Sequence, residues 1–127
     1  MENKTFATAI NCMDGRMQVP VVKWIKSEFP IDFVDMITEP GPNKILAENT
    51  DTHMIESIKK RVGISVHKHH SKLIVITGHY DCAGNPVEEE IQKAQILEAI
   101  KVMKLWGFEV EIIGLWVDKN WEAHKIN

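Results

Sequence analysis

Hydrophobic and polar positions along the chain follow two different periods, and their alternation predicts strands and helices in turn. Short apolar runs, which are typical of strands, occupy residues 5–12, 33–38, 72–78 and 109–117. The third run, KLIVITG, is apolar almost throughout, as in a strand buried on both faces of a parallel sheet. The second run is followed by EPGPNK at residues 39–44, where proline and glycine predict a turn.

Between the strands, apolar residues recur at helical spacing and predict helices. One helix is expected over residues 19–29, with Pro20 in its first turn, where the missing N–H is tolerated. A second helix is expected to begin near Asp51 or Thr52, either of which is a favourable N-cap, and to bend or end at Gly63.

The third predicted helix has signals at both ends. Asn85 is a favourable N-cap, Pro86 suits the first helical position, and Glu88 stands where a capping-box acid is found. Gly107 follows the last turn of the periodic segment, as a C-terminal glycine often does.

The order of these elements, β-α-β-α-β-α-β, predicts the α/β class. We expect a three-layer fold with a mainly parallel sheet of about four strands flanked by helices. The 127 residues are enough to bury one hydrophobic core, so residues 1–127 are expected to form a single domain.

Composition narrows the possible functions. Hydrophobic residues make up 44% of the chain and charged residues 26%, as in ordinary globular proteins. The 15 basic and 18 acidic residues give a net charge of −3, and without a long basic block nucleic acid is not an expected partner. No apolar run approaches the roughly 20 residues of a membrane helix. The N-terminal residues lack the apolar core of a signal peptide, so the expected location is the cytoplasm.

The chain has two cysteines, and a reducing cytoplasm favours a metal-binding or catalytic role for them over a disulfide. Cys12 follows the first strand, and Cys82 follows the third strand, three residues after His79. Open α/β sheets bind ligands at the carboxyl ends of their strands, so the two loops are expected to meet. A Cys/His/Cys set is one that Zn²⁺ favours, and three protein ligands are typical of a catalytic zinc site.

Other interpretations of these residues stay open at this point. Either cysteine alone is compatible with a small buried hydrophobe. A reversible Cys12–Cys82 disulfide would indicate a redox protein, although the chain has no Cys-x-x-Cys pair. A phosphatase loop is disfavoured, because only three residues separate Cys12 from Arg16 and one of them, Asp14, would repel a phosphate. Asp14 also offers a fourth zinc ligand, which would close the site.

CMDGR at residues 12–16 and GHYDC at residues 78–82 resemble the paired Cys-x-Asp-x-Arg and His-x-x-Cys motifs of β-class carbonic anhydrases. VDMITEPGPN resembles that family's second strand and the turn after it, and IIGLWVD resembles its last strand, so the resemblance extends over nearly the whole chain. It implies the fold of that family, a bound Zn²⁺, and assembly as a homodimer or a higher homo-oligomer.

The resemblance also implies the roles of the site residues. Cys12, His79 and Cys82 would bind Zn²⁺, whose bound hydroxide would convert CO₂ reversibly to bicarbonate. Asp14 and Arg16 would form the catalytic dyad, in which Arg16 holds Asp14 away from the metal. If the ion pair between Asp14 and Arg16 broke, Asp14 could bind the metal as a fourth ligand and close the site. The alternatives are the same chemistry on another small electrophile, such as COS or CS₂, and a non-catalytic zinc-binding protein in which Asp14 stays on the metal.

Residues near the two motifs have more than one interpretation. Gly41 is either a substrate-binding position that lets the backbone approach the metal loop or part of a plain turn. Asp81 is either a hydrogen-bond acceptor behind the site or a solvated turn residue. The helix that Asn85 begins is expected to point its N-terminus at the site and to favour an anion such as bicarbonate. HKHH at residues 67–70 is expected on the surface. Expected in the core or in a subunit interface are Trp106, Trp116 and Trp121.

Overall fold

The computed structural model of the protein describes residues 4–127, in which strands and helices alternate along most of the chain. In chain order the elements are β1 (Phe6–Cys12), α1 (Gly15–Glu28), β2 (Phe33–Glu39), α2 (Pro42–Glu48), α3 (Thr52–Lys68), β3 (Leu73–His79), α4 (Glu89–Lys104), β4 (Glu111–Val117) and β5 (Ala123–Lys125). The α/β class expected from the sequence is confirmed.

Within the described residues the strands form one sheet in the order β2-β1-β3-β4-β5. β1 pairs in parallel with β2 and β3, β3 pairs in parallel with β4, and the short β5 runs antiparallel to β4. The chain leaves β1 toward one edge of the sheet and later leaves β3 toward the other edge. This reversal opens a crevice at the carboxyl ends of β1 and β3, which is where open α/β sheets bind ligands.

Helices cover both faces of the sheet. On one face, Met17, Val21 and Ile25 of α1 pack against apolar side chains of β1, β3 and β4. On the other face, α2, α3 and α4 contribute to a second buried cluster, which includes Ile58 and Ile96. Burial on both faces explains why every residue of β3 is buried, as its apolar run predicts. No helix in this part of the chain has both the length and the apolar character needed to cross a membrane.

The first helix begins at Gly15, earlier than residue 19, where the apolar period first indicates it. Asp14 is the N-cap, and its carboxylate accepts a hydrogen bond from the Arg16 backbone N–H at 2.9 Å. Pro20 therefore lies inside the helix rather than in its first turn. The N–H that Pro20 lacks leaves one i→i−4 hydrogen bond of the helix unmade.

The EPGPNK segment is more than the predicted turn, because Pro42 is the first residue of α2. This seven-residue helix is too short to show an apolar period, and its C-cap, Asn49, has a left-handed φ of 53°. α3 follows its Asp51 N-cap as expected but continues through Gly63. A glycine inside a helix costs about 1 kcal/mol, which the buried apolar face of α3 outweighs.

The N-cap prediction for the last helix is wrong. Asn85 is fully buried, and its amide nitrogen donates to Gln95 Oε1 at 2.7 Å, so it packs in the loop instead of capping a helix. α4 begins at Glu89, after Glu88 as its N-cap, and the anion site expected at an Asn85-capped helix loses its basis. β5 was not predicted either, since its three residues are too few to show a period.

Candidate metal centre

Two loops meet at the carboxyl ends of β1 and β3. Cys12 is the last residue of β1, and His79 is the last residue of β3, its neighbour in the sheet. Cys82 lies in the loop that follows His79, and it is 70 residues from Cys12 along the chain. The crevice between the two strands thus brings together the three side chains that the sequence predicts as metal ligands.

Cys12, His79 and Cys82, which we call the donor cluster, form a compact buried group. They are 5%, 0% and 4% exposed, and one donor atom from each lies within 4.8 Å of the other two. The two Sγ atoms are 3.7 Å apart, whereas the sulfurs of a disulfide are about 2.05 Å apart, so both cysteines are free. The thiols are close enough to share one ligand.

The imidazole of His79 has one nitrogen in a hydrogen bond and one without a partner. Nδ1 lies 2.7 Å from the Tyr80 carbonyl oxygen, which only accepts hydrogen bonds, so Nδ1 carries the proton of the neutral ring. Nε2 is buried and has no hydrogen-bond partner. In this tautomer Nε2 presents a lone pair beside two thiols, which is the arrangement of a metal ligand.

The groups of the donor cluster influence each other's ionisation. The pKa of Cys12 lies well below its usual range, and the hydrogen bond with Cys82 is the largest cause. The same contact raises the pKa of Cys82, because ionising both thiols would place two negative sulfurs side by side. Burial lowers the pKa of His79, but the Cys12 sulfur beside its ring and its hydrogen bond to the Tyr80 carbonyl together raise it more. A cation is therefore needed for both thiolates to form together.

The donor cluster fits Zn²⁺. Two sulfurs bound at about 2.3 Å to one tetrahedral ion lie about 3.8 Å apart, close to the 3.7 Å between Cys12 and Cys82. Thiolate and imidazole are ligands that suit Zn²⁺, whereas Mg²⁺ and Ca²⁺ prefer oxygen. Three protein ligands would leave a fourth position for a small molecule.

Asp14 and Arg16 form an ion pair beside the donor cluster. Arg16 Nε and Nη2 donate to the two carboxylate oxygens of Asp14 at 3.0 and 2.6 Å. These hydrogen bonds and the charge of Arg16 lower the pKa of Asp14 to about 2, so the carboxylate is ionised at neutral pH. Asp14 is not a member of the group of donors that lie within 4.8 Å of one another. Its oxygens are engaged by Arg16 instead.

Comparison with known protein families agrees with this geometry. A family model described as "Putative carbonic anhydrase" matches residues 2–127. The chain belongs to this carbonic anhydrase family. A comparison with curated proteins finds no significant match.

Solved structures of β-carbonic anhydrases share the fold. A mutant of CafD from Aspergillus fumigatus is 16% identical with a TM-score of 0.64, and the match covers 100% of this chain and 91% of that one. CafA from the same fungus is 12% identical with a TM-score of 0.59, covering 98% and 76%. The β-carbonic anhydrase CcaA is 11% identical with a TM-score of 0.67, covering 98% and 74%. At these identities the likeness establishes the fold alone, and this is the fold that the sequence resemblance implies.

Gly41 lies where two loops of this carbonic anhydrase fold approach each other. Its φ is +65°, and a Cβ at this position would lie 2.8 Å from the Cβ of Asn85. Its backbone also hydrogen-bonds to Cys12 and helps to lower the pKa of that thiol. Glycine therefore lets the loop after β2 reach the donor cluster. A role for Gly41 in substrate binding stays a prediction.

Gln92 is a residue of the site that sequence interpretation missed. It is fully buried on α4, where its Nε2 donates to the His79 carbonyl at 2.8 Å and its Oε1 accepts from the His79 N–H at 3.1 Å. One side chain thus binds both backbone groups of His79, as a neighbouring strand would. Its signal in the sequence is a glutamine on the apolar stripe of α4, four residues before Ile96.

The other residues singled out in the sequence lie at the site, on the surface or in the core. Asp81 accepts from Arg16 through its side chain at 3.3 Å and through its carbonyl at 3.1 Å, so it belongs to the site. Trp121 is partly buried against the apolar cluster that α1 forms with the sheet, as expected, and its ring centroid also lies 4.6 Å from Arg16 Cζ. The HKHH segment at residues 67–70 is exposed, as expected. Buried or partly buried, as expected of core residues, are Trp116 and Trp106.

Proposed function

We propose that this chain binds one Zn²⁺ through Cys12, His79 and Cys82 and catalyses the reversible hydration of CO₂ to bicarbonate. The observation that carries the proposal is the donor cluster itself, with an unpartnered imidazole nitrogen and the sulfur spacing of a tetrahedral zinc site. Membership of the carbonic anhydrase family supports it. When bound, Zn²⁺ supplies a Lewis acid that makes hydroxide available near neutral pH.

A small cavity adjoins the donor cluster and suits a small apolar substrate. It has a volume of about 200 Å³, and its surface is almost entirely apolar. CO₂ has no hydrogen-bond donor that would need a partner in such surroundings, so burying it there costs little. The cavity is lined by Cys12, Met13, Asp14, Pro40, Ala83 and Gly84.

Asp14 would orient the reacting oxygen in this cavity. Because Arg16 keeps the carboxylate ionised, Asp14 accepts hydrogen bonds and donates none. It would accept a hydrogen bond from the attacking oxygen and so direct a lone pair toward the carbon of CO₂. Arg16 holds Asp14 in a fixed position by binding both of its oxygens. Asp14 is thus the proposed catalytic residue, with Arg16 as its partner in the dyad.

Metal content and activity together test the proposal. We expect about one zinc per wild-type chain, and we expect Cys82→Ser to lose both the zinc and CO₂ hydration, because two ligands hold the ion weakly. Metal analysis and stopped-flow assays with a pH indicator measure the two effects. Tyr80→Phe is the matched control, since it changes an exposed neighbour and keeps the backbone carbonyl that binds His79. Full activity in metal-free wild-type protein would refute the proposal.

The position of Asp14 supports an enzyme over a non-catalytic zinc-binding protein. A closed site needs Asp14 among the metal ligands, whereas its carboxylate accepts hydrogen bonds from the backbone N–H, Nε and Nη2 of Arg16. The alternative substrates COS and CS₂ would be compared with CO₂ in parallel assays of the same purified protein.

A cytoplasmic location stays a prediction.

A further inference from the structure

Trp121 reaches the site from a hairpin that joins β4 to β5. Asp118 organises the turn of this hairpin, since its side chain accepts from the N–H groups of Asn120 and Glu122 at 2.8 and 3.0 Å. The Asp118 carboxylate also pairs with His124 at 2.6 Å, and its carbonyl accepts from the Trp121 N–H at 2.9 Å. These contacts make the turn a well-defined support for the indole ring.

The backbone of Trp121 is strained. Its φ is +61°, in the left-handed region that bulky side chains avoid. Such a conformation persists only where the surrounding contacts determine it strongly, and it is often found where a side chain has a functional position. Here it accompanies a ring that lies beside the donor cluster, with its centroid 6.2 Å from that of the His79 ring.

The Arg16 side chain contacts Asp14, Asp81 and Trp121. Asp14 binds two of its nitrogens, Asp81 binds it through a side-chain oxygen and a carbonyl, and the indole centroid lies 4.6 Å from Cζ. A guanidinium at this distance over an indole face is attracted to it. The side chain of Arg16 is still 48% exposed, so without the indole ring it would have room to rotate away from Asp14.

We infer that Trp121 is a positioning residue for the Asp14–Arg16 pair. The indole keeps the Arg16 guanidinium in the orientation that binds Asp14, and so it keeps Asp14 from joining the donor cluster as a fourth metal ligand. The hairpin between β4 and β5 therefore controls whether the metal site is open. This inference rests on the proposed function, because it concerns access to the zinc.

The rate at which bound zinc passes to an excess of the chelator pyridylazoresorcinol tests the inference. Trp121→Ala is expected to free Asp14 to bind zinc and to slow its release about tenfold. Trp121→Phe keeps an aromatic face over Arg16 and should release zinc nearly as the wild type does. With Asp14→Asn already present, which keeps an N-cap residue but removes the carboxylate, Trp121→Ala should have no effect on release.

Trp24→Ala is the matched control. Trp24 and Trp121 line the same surface groove, so either change removes a large apolar side chain from it. Trp24 packs against Phe29, with a distance of 6.1 Å between the ring centroids. Zinc release from Trp24→Ala should equal that from the wild type.

Faster zinc release from Trp121→Ala than from the wild type would overturn the inference. So would a change in release rate that is the same whether position 14 is Asp or Asn. Loosened packing alone would produce either result. The proposed function fails separately if the wild type binds no zinc. In that case the inference is tested by NMR of the metal-free protein. The measured quantity is the solvent exchange of the Arg16 Nε–H, which donates to Asp14 at 3.0 Å. This proton should lose protection from solvent exchange in Trp121→Ala but not in Trp24→Ala. Equal protection in both variants would overturn the inference.

Discussion

The Nε2 atom of His79 lacks a partner in a protein interior, where nearly all buried polar atoms have one. Leaving such an atom unsatisfied costs about 1–3 kcal/mol. The cost is offset if a metal ion occupies the position, and the neighbouring thiols of Cys12 and Cys82 would complete its ligand set. Gln92 hydrogen-bonds to both backbone groups of His79, so the end of β3 that carries the imidazole ring is fixed.

Replacing Gln92 tests how strongly this support affects the metal. Gln92→Ala removes the hydrogen bonds to both backbone groups of His79, and we expect zinc affinity to fall about 10- to 100-fold. Stability should fall by about 1–3 kcal/mol. Chelator competition and urea unfolding measure the two effects. Glu98→Ala, at an exposed site on the same helix, should change stability by less than about 0.5 kcal/mol. Unchanged zinc affinity would contradict a positioning role for Gln92.

Gly41 and Gly107 together separate the cost of the close contact between two loops from the cost of a positive φ. Gly41 and Gly107 both have positive φ, but a Cβ would meet Asn85 at 2.8 Å only from Gly41 and would meet nothing within 4 Å from Gly107. Gly107→Ala should cost about 1 kcal/mol, from φ alone. Gly41→Ala should cost about 1–3 kcal/mol more, because the two loops must separate. Urea unfolding measures both changes, and equal costs would show that the loop contact adds nothing.

At the scale of elements, the hairpin after β4 depends on an ionised Asp118. The hydrogen bond from His124 and those from the backbone of Glu122 and Asn120 lower the pKa of Asp118 below its usual 3.8. A carboxyl group whose pKa is lower in the folded state stabilises the fold above its unfolded value, and the contribution is lost as pH falls through the folded value.

The pH dependence of unfolding tests this role of Asp118. We expect Asp118→Asn to be less stable than the wild type at neutral pH and the difference to shrink as the pH falls below 3.8. Urea titrations at a series of pH values measure it. Glu109→Gln, at an exposed position before β4, is the control for the loss of one surface carboxylate. A difference between Asp118→Asn and the wild type that stays constant with pH would contradict the assignment.

The elements also show what a sequence pattern can and cannot predict. The apolar run of β3 is recognisable because burial on both faces leaves every position apolar or small. The start of α1 is not recognisable by period, because its first turn is polar and is set by the Asp14 N-cap. α2 and β5 are too short for any period; α2 forms where it packs against α4, and β5 forms where it pairs with β4.

At the scale of the whole molecule, the two edges of the sheet differ. β2 is an edge strand of seven residues with one neighbour, β1, whereas the opposite edge is the three-residue β5. A long unpaired edge favours pairing with another chain. Phe33, at the start of β2, is 40% exposed and adds apolar surface there. This edge is the place where we expect a second copy of the chain to bind.

Sedimentation equilibrium tests the assembly. We expect a homodimer, with about twice the 14.5 kDa mass of the chain. Phe33→Lys should shift the equilibrium toward monomer, because a lysine at an edge strand opposes pairing. Leu105→Lys changes an 87% exposed side chain just after α4 and should leave the dimer intact. A monomeric wild type, or loss of the dimer in Leu105→Lys alone, would contradict this interface.

The sequence by itself determined the class of fold and the identity of the candidate metal ligands. Both depend on local patterns: the apolar periods define the longer elements, and parallel strands bring their carboxyl ends to one edge. Only the tertiary structure decided that the pair with Arg16 leaves Asp14 outside the donor cluster, that Gln92 supports His79 and that Trp121 covers Arg16. The last two of these contacts join residues on different elements, and their geometry depends on how loops and helices pack, which no local pattern records.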